Sequence, residues 1–431
     1  MTKLTCYGGA GSATGANFLL EIDNKKILVD CGLEQGTRSE EHNRRKFEYN
    51  PAEINYLFVT HAHIDHTGLI PRLYREGFRG EIFSTIETKE IAELLLIDAV
   101  KINGDMPLYG LNDVSGALSL WKTLKYHEPR DFEGFTLELF NAGHVLGSAS
   151  FRLTTDKGSM LFSGDIGNSP SPILSDFEKV SGLKYLLMES VYGDKNHESK
   201  KDRDEKFKRI VENSIKMGGT LLLPAFSLER TQVILHELDK LFENGVESVP
   251  VYLDSPLGIR ITAIYKRIKN LYGEDSKFKE LRETVKIQDS KEIAKTPGSK
   301  IIIAGSGMST AGRILNHEEI FLPDPNSTIL IIGYQAAGTL GRQIEEGIKK
   351  LMINEREVAV RARVEKIEGF SAHADSDTLV DFVSTSAETL KRVFVAMGEP
   401  KSAVFLTQRL RDELEVDAVV AEKGRVYEVD L

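Results

Sequence analysis

The stretch "THAHIDHTGL", Thr60 to Leu69, carries His61, His63, Asp65 and His66 in the spacing H-x-H-x-D-H. The chain of 431 residues has ten histidines, and packing alone does not gather three of them beside an aspartate. Upstream, "INYLFV" is an apolar run of strand length. Downstream, "TGLIPRLYREG" places Leu69, Ile70, Leu73 and Tyr74 on one helical face and ends at Gly77, a residue type that closes helices. The four side chains therefore sit on a loop at a strand's end. A loop turns neighbouring side chains in different directions, so His61 and His63 can serve one metal while Asp65 and His66 serve another close by. Imidazole and carboxylate together suit zinc ahead of manganese or iron.

Further ligand types recur at other predicted strand ends. "NAGHVLGSAS" sets His144 on a glycine-flanked loop, and "LFSGDIG" sets Asp165 just after an apolar run, where a carboxylate can bridge two metals. "KILVDCG" places Asp30 at a third strand end, suited to hold a ligand histidine from behind. Alone, His144 or Asp165 reads as an ordinary loop polar group; the cluster at 61–66 changes that reading.

The length predicts two domains rather than one simple core. The composition, 41% apolar and 28% charged, is that of an ordinary soluble protein. No apolar run reaches the roughly 20 residues of a membrane span. The start, "MTKLTCYGGAG", has no apolar signal region, so the expected location is cytoplasmic. Cys6 and Cys31 are the only cysteines, which excludes a disulfide framework and fits a reducing compartment. The net charge of −10 argues against polyanion binding by the whole surface, although metal ions and a few arginines reverse the sign locally.

Residues 1–190 read as short strands, among them "NFLLEI", "FTLELF", "ASFRLT" and "KYLLMES", separated by Gly and Asp turns. The charge run "DKNHESKKDRDEKFKR" marks a boundary and is otherwise a solvated helix face or linker. Within 191–355 one unit recurs four times: a buried strand ("GTLLLPA", "VPVYLD", "KIIIAG", "TILIIG"), a polar or glycine-rich loop, then a helix. Four such units predict a doubly wound parallel α/β sheet whose ligands gather beyond the carboxyl ends of its strands. Residues 356–431 return to alternating strands, which predicts a first domain interrupted by an inserted one.

The loops of the inserted domain carry candidate phosphate contacts. Ser306, Gly307 and Met308 open a helix with their backbone N–H groups. Arg313, Arg342 and Arg230 each follow such a loop. Phe226 and Tyr334, each just after a strand, are candidates to stack on bases, though glycine-rich turns and core aromatics are the commoner explanation.

"THAHIDHTG", with "VDCG", "GHVLGS" and "SGD", resembles the metallo-β-lactamase superfamily. "LLMESVYGD", "GSGMSTAGR" and "EGFSAHAD" resemble its β-CASP nucleases, which include the RNase J enzymes and the mRNA 3′-end cleavage endonucleases, here in a compact stand-alone form. The resemblance implies an αββα sandwich with an inserted β-CASP domain and a dinuclear zinc site. In that site His61, His63 and His144 hold one metal, Asp65 and His66 the other, and Asp165 bridges. It implies that Glu189 orients a nearby histidine and that His373 stabilises the phosphate or protonates the leaving group. It implies RNA as partner, cleavage between the domains, products with 5′-phosphate and 3′-hydroxyl ends, and an assembly left open, a homodimer included. In "VFVAMGEP" Met397 stands where RNA-processing members carry a histidine, and no histidine follows His373. A thioether is a weak donor to zinc beside imidazole, so the second zinc is expected to bind more weakly. Met397 also keeps open a DNA nuclease and a catalytically weakened RNA-binding partner. A thioester or lactam hydrolase fits less well, because such enzymes do not need the insertion.

Overall fold

In the strand Phe135–Asn141, Phe135, Leu137 and Leu139 are buried while Thr136 and Glu138 are half-buried, the period of two that lays one strand face on a core. Strands of this kind build two seven-stranded sheets. The first runs Val426–Val429, Thr2–Gly8, Asn17–Ile22, Lys25–Val29, Tyr56–Phe58, Glu81–Ser84, Trp121–Thr123. The second runs Ala418–Val420, Arg392–Val395, Tyr185–Met188, Gly158–Phe162, Ala149–Thr155, Phe135–Asn141, Arg130–Phe132. This computed structural model describes residues 2–36, 39–102, 107–268, 290–333, 335–336 and 338–431.

Phe18, Leu20 and Phe58 of the first sheet share one apolar cluster with Leu137, Leu153, Phe162 and Phe394 of the second, so the core lies between the sheets. Each such side chain, fully buried, contributes roughly 1.5–3 kcal/mol. Beyond the second sheet, Leu186, Met188 and Val393 pack on Leu379 and Phe382 of helix Ser376–Ser384 and on Leu406 and Leu410 of helix Pro400–Leu414. On the first sheet's side, helices Ile86–Ile102 and Leu111–Ser119 pack on each other, and the longer one touches the edge strand Trp121–Thr123. The layering is helix, sheet, sheet, helix.

Residues Met1–Asn196 and His373–Leu431 form one compact unit, and His197–Ala372 another. The late segment completes both sheets of the first unit, because Val426–Val429 pairs with Thr2–Gly8 and Arg392–Val395 with Tyr185–Met188. The run "EVAVRARVEKI" is two elements: Arg356–Ala359 forms a hairpin with Lys350–Ile353, and Arg363–Ile367 pairs in parallel with Thr328–Ile332 of the second unit. Arg363–Ile367 is an edge strand with mostly half-buried residues, which is why its sequence lacks the apolar texture of the central strands.

The second unit holds a five-stranded parallel sheet in the order Val251–Leu253, Lys300–Ala304, Thr220–Pro224, Thr328–Ile332, Arg363–Ile367. The three central strands are buried at every residue, as a sheet covered on both faces requires. The charge run after residue 195 is largely the helix Lys200–Lys216, capped by Ser199 Oγ, which accepts the Asp202 N–H. It buries Arg203, Phe207, Ile210, Val211 and Ser214 on one stripe.

The helix Arg230–Glu243 starts from a strained turn. Glu229 has φ 63° and ψ −60°, and the Arg230 N–H donates to Leu228 O at 2.8 Å, a γ-turn of the rare left-handed kind. Its buried carboxyl accepts the Tyr265 hydroxyl at 2.6 Å, and burial, opposed by Tyr265 and Arg230, pushes it from 4.5 up to about 7. The folded chain thus keeps a proton that the unfolded chain releases near 4.5, so this group's contribution to stability falls as pH rises to about 7 and is level above. Glu229→Gln, which keeps an acceptor for Tyr265, is expected to match the parent near pH 4.5 and to exceed it by about 3 kcal/mol at pH 8 in chemical denaturation. Equal stability of the two chains at pH 8 would contradict a buried, uncharged Glu229.

Candidate functional site

The strand ends of the sandwich gather the sequence's ligand-type residues. Asp30 follows Lys25–Val29, and His61 stands three positions after the end of Tyr56–Phe58; Asp165 follows Gly158–Phe162, Glu189 follows Tyr185–Met188, and His144 lies on the loop after Phe135–Asn141. The loop Val59–His63 leads into a single helical turn, Ile64–Thr67, which carries Asp65 and His66. That turn docks closely on the strand end at Gly32, where a Cβ would lie 1.6 Å from Asp65 O. Only glycine fits there.

Ligand atoms of His61, His63, His144 and Asp165 all lie within 4.8 Å of one another. His63 Nδ1 is 3.1 Å from His61 Nε2 and 3.2 Å from His144 Nε2. One proton on His63 cannot satisfy both neighbours, whereas a shared cation can. Bonds of about 2.0–2.1 Å at tetrahedral angles would set such nitrogens about 3.3 Å apart. Asp165 Oδ2 stands 3.5 Å from His61 Nε2, 3.6 Å from His144 Nε2 and 3.4 Å from His66 Nε2, so one oxygen faces both the three-histidine group and His66. Asp165 Oδ1 and His66 Nε2 are buried with no hydrogen-bond partner among the described residues. Donor set and orphaned atoms together fit a metal site.

Asp30 organises this end from below. Its Oδ1 accepts the Thr60 N–H at 2.8 Å, and its Oδ2 accepts the Thr60 hydroxyl and His66 Nδ1–H, each at 2.8 Å. That bond assigns the His66 tautomer and leaves Nε2 facing Asp165. Thr60 is a functional residue that the sequence reading missed; its only signal was its place immediately before His61.

Burial and the nearby His66 hold the His61 imidazole well below its ordinary value, so it presents a bare lone pair. His66 goes the other way: against its burial, Asp165 and Asp30 hold it well above. Burial opposes ionisation of Asp165, yet His66 and His61 hold its carboxyl well below the usual range. A cation binding here must displace the His66 proton, which makes affinity depend on pH. Asp65 is half-buried on its helical turn; burial raises its carboxyl, and His66, Asp165 and His373 act on it through space.

Beside the histidines lies a second group, Asp165, Glu189 and His373. His373 Nδ1 is 3.3 Å from Glu189 Oε1, and His373 is tied to Gly167 by an isolated β-bridge. Burial disfavours the His373 cation, but Glu189, with Asp165 and Asp65, outweighs it and raises the imidazole to about 9. Burial pushes the Glu189 carboxyl up. Against that burial, Glu189 also accepts the Ile166 and Val191 N–H groups, which stabilise its charge. Met397 is 2% exposed and belongs to the cluster between the sheets, its sulfur packed against Gly9.

In the second unit, Ser306, Gly307 and Met308 lie on the loop after Lys300–Ala304 and, contrary to expectation, do not open a helix, which begins only at Ile314 after Arg313; Arg230 opens the helix Arg230–Glu243, and Arg342 lies on the short helix Leu340–Glu345. Arg230 Nη1 donates to Ile332 O at 3.0 Å. The Ser306 hydroxyl accepts the Thr310 and Ala311 N–H groups, so it braces the loop. Arg342 pairs with Glu346 at 2.7 Å. Phe226 is 40% exposed with its ring against Gly307, and Tyr334 lies outside the described residues.

Family models match along the chain: the metallo-β-lactamase superfamily over residues 14–209, the Beta-Casp domain over 231–344, and a Zn-dependent metallo-hydrolase RNA specificity domain over 357–421. The chain therefore belongs to the β-CASP family of the metallo-β-lactamase superfamily, and is a metal-dependent nuclease. It is similar to Ribonuclease TTHA0252 of Thermus thermophilus, 33% identical over 95% of this chain and 96% of the relative. It is also similar to Transcription termination factor FttA of Methanosarcina mazei, 30% identical over 96% and 70%, and to Cleavage and polyadenylation specificity factor 73 of Drosophila melanogaster, 29% identical over 95% and 62%. A solved protein of unknown function from Enterococcus faecalis shares the fold, with TM-score 0.61, 14% identity and 99% coverage of both chains.

The bonding of Asp30 yields a test. Asp30→Asn turns an acceptor toward a donor at His66 Nδ1–H or Thr60, and is expected to weaken metal binding by about 10–100-fold in calorimetric titration. Unchanged affinity would mean that His66 needs no support to present Nε2.

Proposed function

We propose that the protein is a zinc-dependent ribonuclease that hydrolyses RNA phosphodiester bonds and leaves 5′-phosphate and 3′-hydroxyl ends. The observation that carries this reading is the meeting of His61 Nε2, His63 Nδ1 and His144 Nε2 around Asp165, beside the Glu189–His373 pair. His61, His63 and His144 would hold one zinc, and Asp65 and His66 a second, with Asp165 shared between them. Bound zinc ions would supply an activated water, its pKa lowered to about 7, and offset the charge of the phosphate. RNA rather than DNA is favoured by the RNA specificity domain matched over 357–421 and by the ribonuclease among the relatives.

The chain's own groups do the rest. Asp30 and Thr60 keep the His66 ring in place. Glu189 accepts from His373 Nδ1 and keeps the imidazole protonated at neutral pH, so His373 can give a proton to the departing 3′-oxygen. Arg230, Arg313 and Arg342 would contact backbone phosphates, with the 306–308 loop and Phe226 beside them. The proposed setting is the cytoplasm, where the buried thiols Cys6 and Cys31 stay reduced. With the Met397 sulfur turned into the apolar core, water rather than a thioether would complete the second zinc's coordination, and that zinc is the weaker bound.

End-labelled RNA and DNA, run on gels with and without chelator, test the substrate and the metal together. Cleavage of RNA that stops on chelation is expected; DNA cleavage alone, or cleavage that survives chelator, would reject the proposal. His63→Ala should abolish hydrolysis without lowering the melting temperature of the metal-free protein. Because the protonated His373 is the active form, activity should fall as pH rises through its pKa. Glu189→Gln removes the charge that raises that pKa, so the alkaline limb should move to lower pH; a limb that stays put would remove His373 from the proton transfer.

A further inference from the structure

Asp254 follows the strand Val251–Leu253 and is 0% exposed. Its backbone N–H donates to Ile303 O at 2.8 Å, which fastens that strand end to its neighbour. Both carboxylate oxygens face donors: Oδ1 accepts Arg313 Nη1 at 2.5 Å, and Oδ2 accepts His317 Nε2 at 2.8 Å. Arg313 and His317 are four residues apart, at the start and within the first turn of helix Ile314–Phe321, so their side chains leave the same side. His317 is itself 0% exposed, and its Nδ1 has no partner among the described residues. The ring proton therefore stands on Nε2, against the carboxylate.

A fully buried carboxylate is a poor way to stabilise a loop, because desolvation offsets most of what the pairing returns. What such a pair does supply is direction. A guanidinium is planar, so fixing one of its nitrogens restricts the whole fork. The Arg313 side chain is still 30% exposed although Asp254 is fully buried, so the pairing does not seal the arginine from solvent. Its backbone is pinned as well. Gly312 has φ +83°, a Cβ there would lie 2.6 Å from Gly305 O, and the Ile314 N–H donates to that same oxygen at 3.0 Å. Arg342 differs: it pairs with Glu346, half exposed and four residues further along the chain, and an exposed pair of that kind contributes little.

We infer that Asp254, with His317 behind it, is a positioning residue that holds the Arg313 guanidinium in one orientation, so that its outward edge meets an RNA phosphate. This rests on the reading that Arg313 contacts RNA. An arginine already oriented loses less side-chain freedom on binding and can present two donors to one phosphate. No other residue type at 254 offers one oxygen to each of two cationic or imidazole donors at this depth without adding length.

The test is a double-mutant cycle on the full chain, with Asp254→Asn, Arg313→Ala and their combination, all confirmed folded by circular dichroism. Cleavage of a short single-stranded RNA is measured for KM and kcat at several salt concentrations. Each single variant is expected to raise KM about ten-fold, to lower the salt slope by about 1, and to leave kcat within two-fold. The combined variant should be no worse than Arg313→Ala alone, because the orienting group has nothing left to orient. Additive losses in the combined variant, or a folded Asp254→Asn with unchanged KM, would overturn the inference. An Arg313→Ala chain with unchanged KM and salt slope would instead overturn the RNA contact on which it rests. If Asp254→Asn does not fold, His317→Leu takes its place. It removes only the bond to Oδ2, and it should raise KM in the parent and leave it unchanged in the Arg313→Ala chain; an unchanged KM in the parent overturns the inference equally.

Discussion

The carboxylate of Asp30 is the contact on which the metal-binding end of the sandwich depends. It is 1% exposed, and it takes three hydrogen bonds, two from Thr60 and one from His66. Those bonds join one strand end of the first sheet to the loop that carries the histidines. Burying an ionised group is costly unless every lone pair is met, so the geometry around Asp30 has little freedom. The loop inherits that rigidity. His61, His63 and the Ile64–Thr67 turn can hold fixed directions although none lies within a long element, and the close approach of Gly32 to Asp65 O locks the turn to the adjacent strand.

The second sheet answers with carboxylates. Asp165 and Glu189 end two adjacent parallel strands, so their side chains arrive next to each other and beside the histidines. They do different things. Asp165 is held ionised by His66 and His61, as binding to a cation would require. Glu189 takes two backbone N–H bonds and spends its charge on His373. The first sheet's loop thus supplies His61, His63 and His66, and the second sheet sets Asp165 and Glu189 beside His144, so that imidazoles and carboxylates meet in one place, as a metal site requires.

How much of this was legible beforehand follows from residue chemistry. His61, His63, Asp65, His66, His144 and Asp165 stood out because ligand types are scarce and were clustered or set at strand ends. The four strand–loop–helix units stood out because central parallel strands are apolar throughout. Thr60, Gly32 and Asp254 were not legible, because each is a common type whose role is fixed by a partner far away in sequence. Arg363–Ile367 escaped for the opposite reason: its half-buried edge position gives it an ordinary mixed texture, and only its pairing with Thr328–Ile332 reveals which sheet it joins. The helix Ile86–Ile102, to which the sequence reading gave no element, buries Thr88, Ile91, Ala92 and Leu96 alone, a stripe too narrow to read with assurance from periodicity.

The strand Tyr185–Met188 has Gly158–Phe162 on one side and Arg392–Val395 on the other. The first neighbour is close in sequence; the second arrives only after the whole inserted unit. During synthesis, therefore, the strand bearing Glu189 stays half paired, and His373 is absent, until the whole inserted unit has been made. Closing so long a loop adds little to the equilibrium cost but slows the final step. A nuclease made on a ribosome is surrounded by RNA, its proposed substrate. The order of the strands acts as a delay: the Glu189–His373 side of the proposed site is completed only after the inserted unit has followed the histidine cluster out of the ribosome.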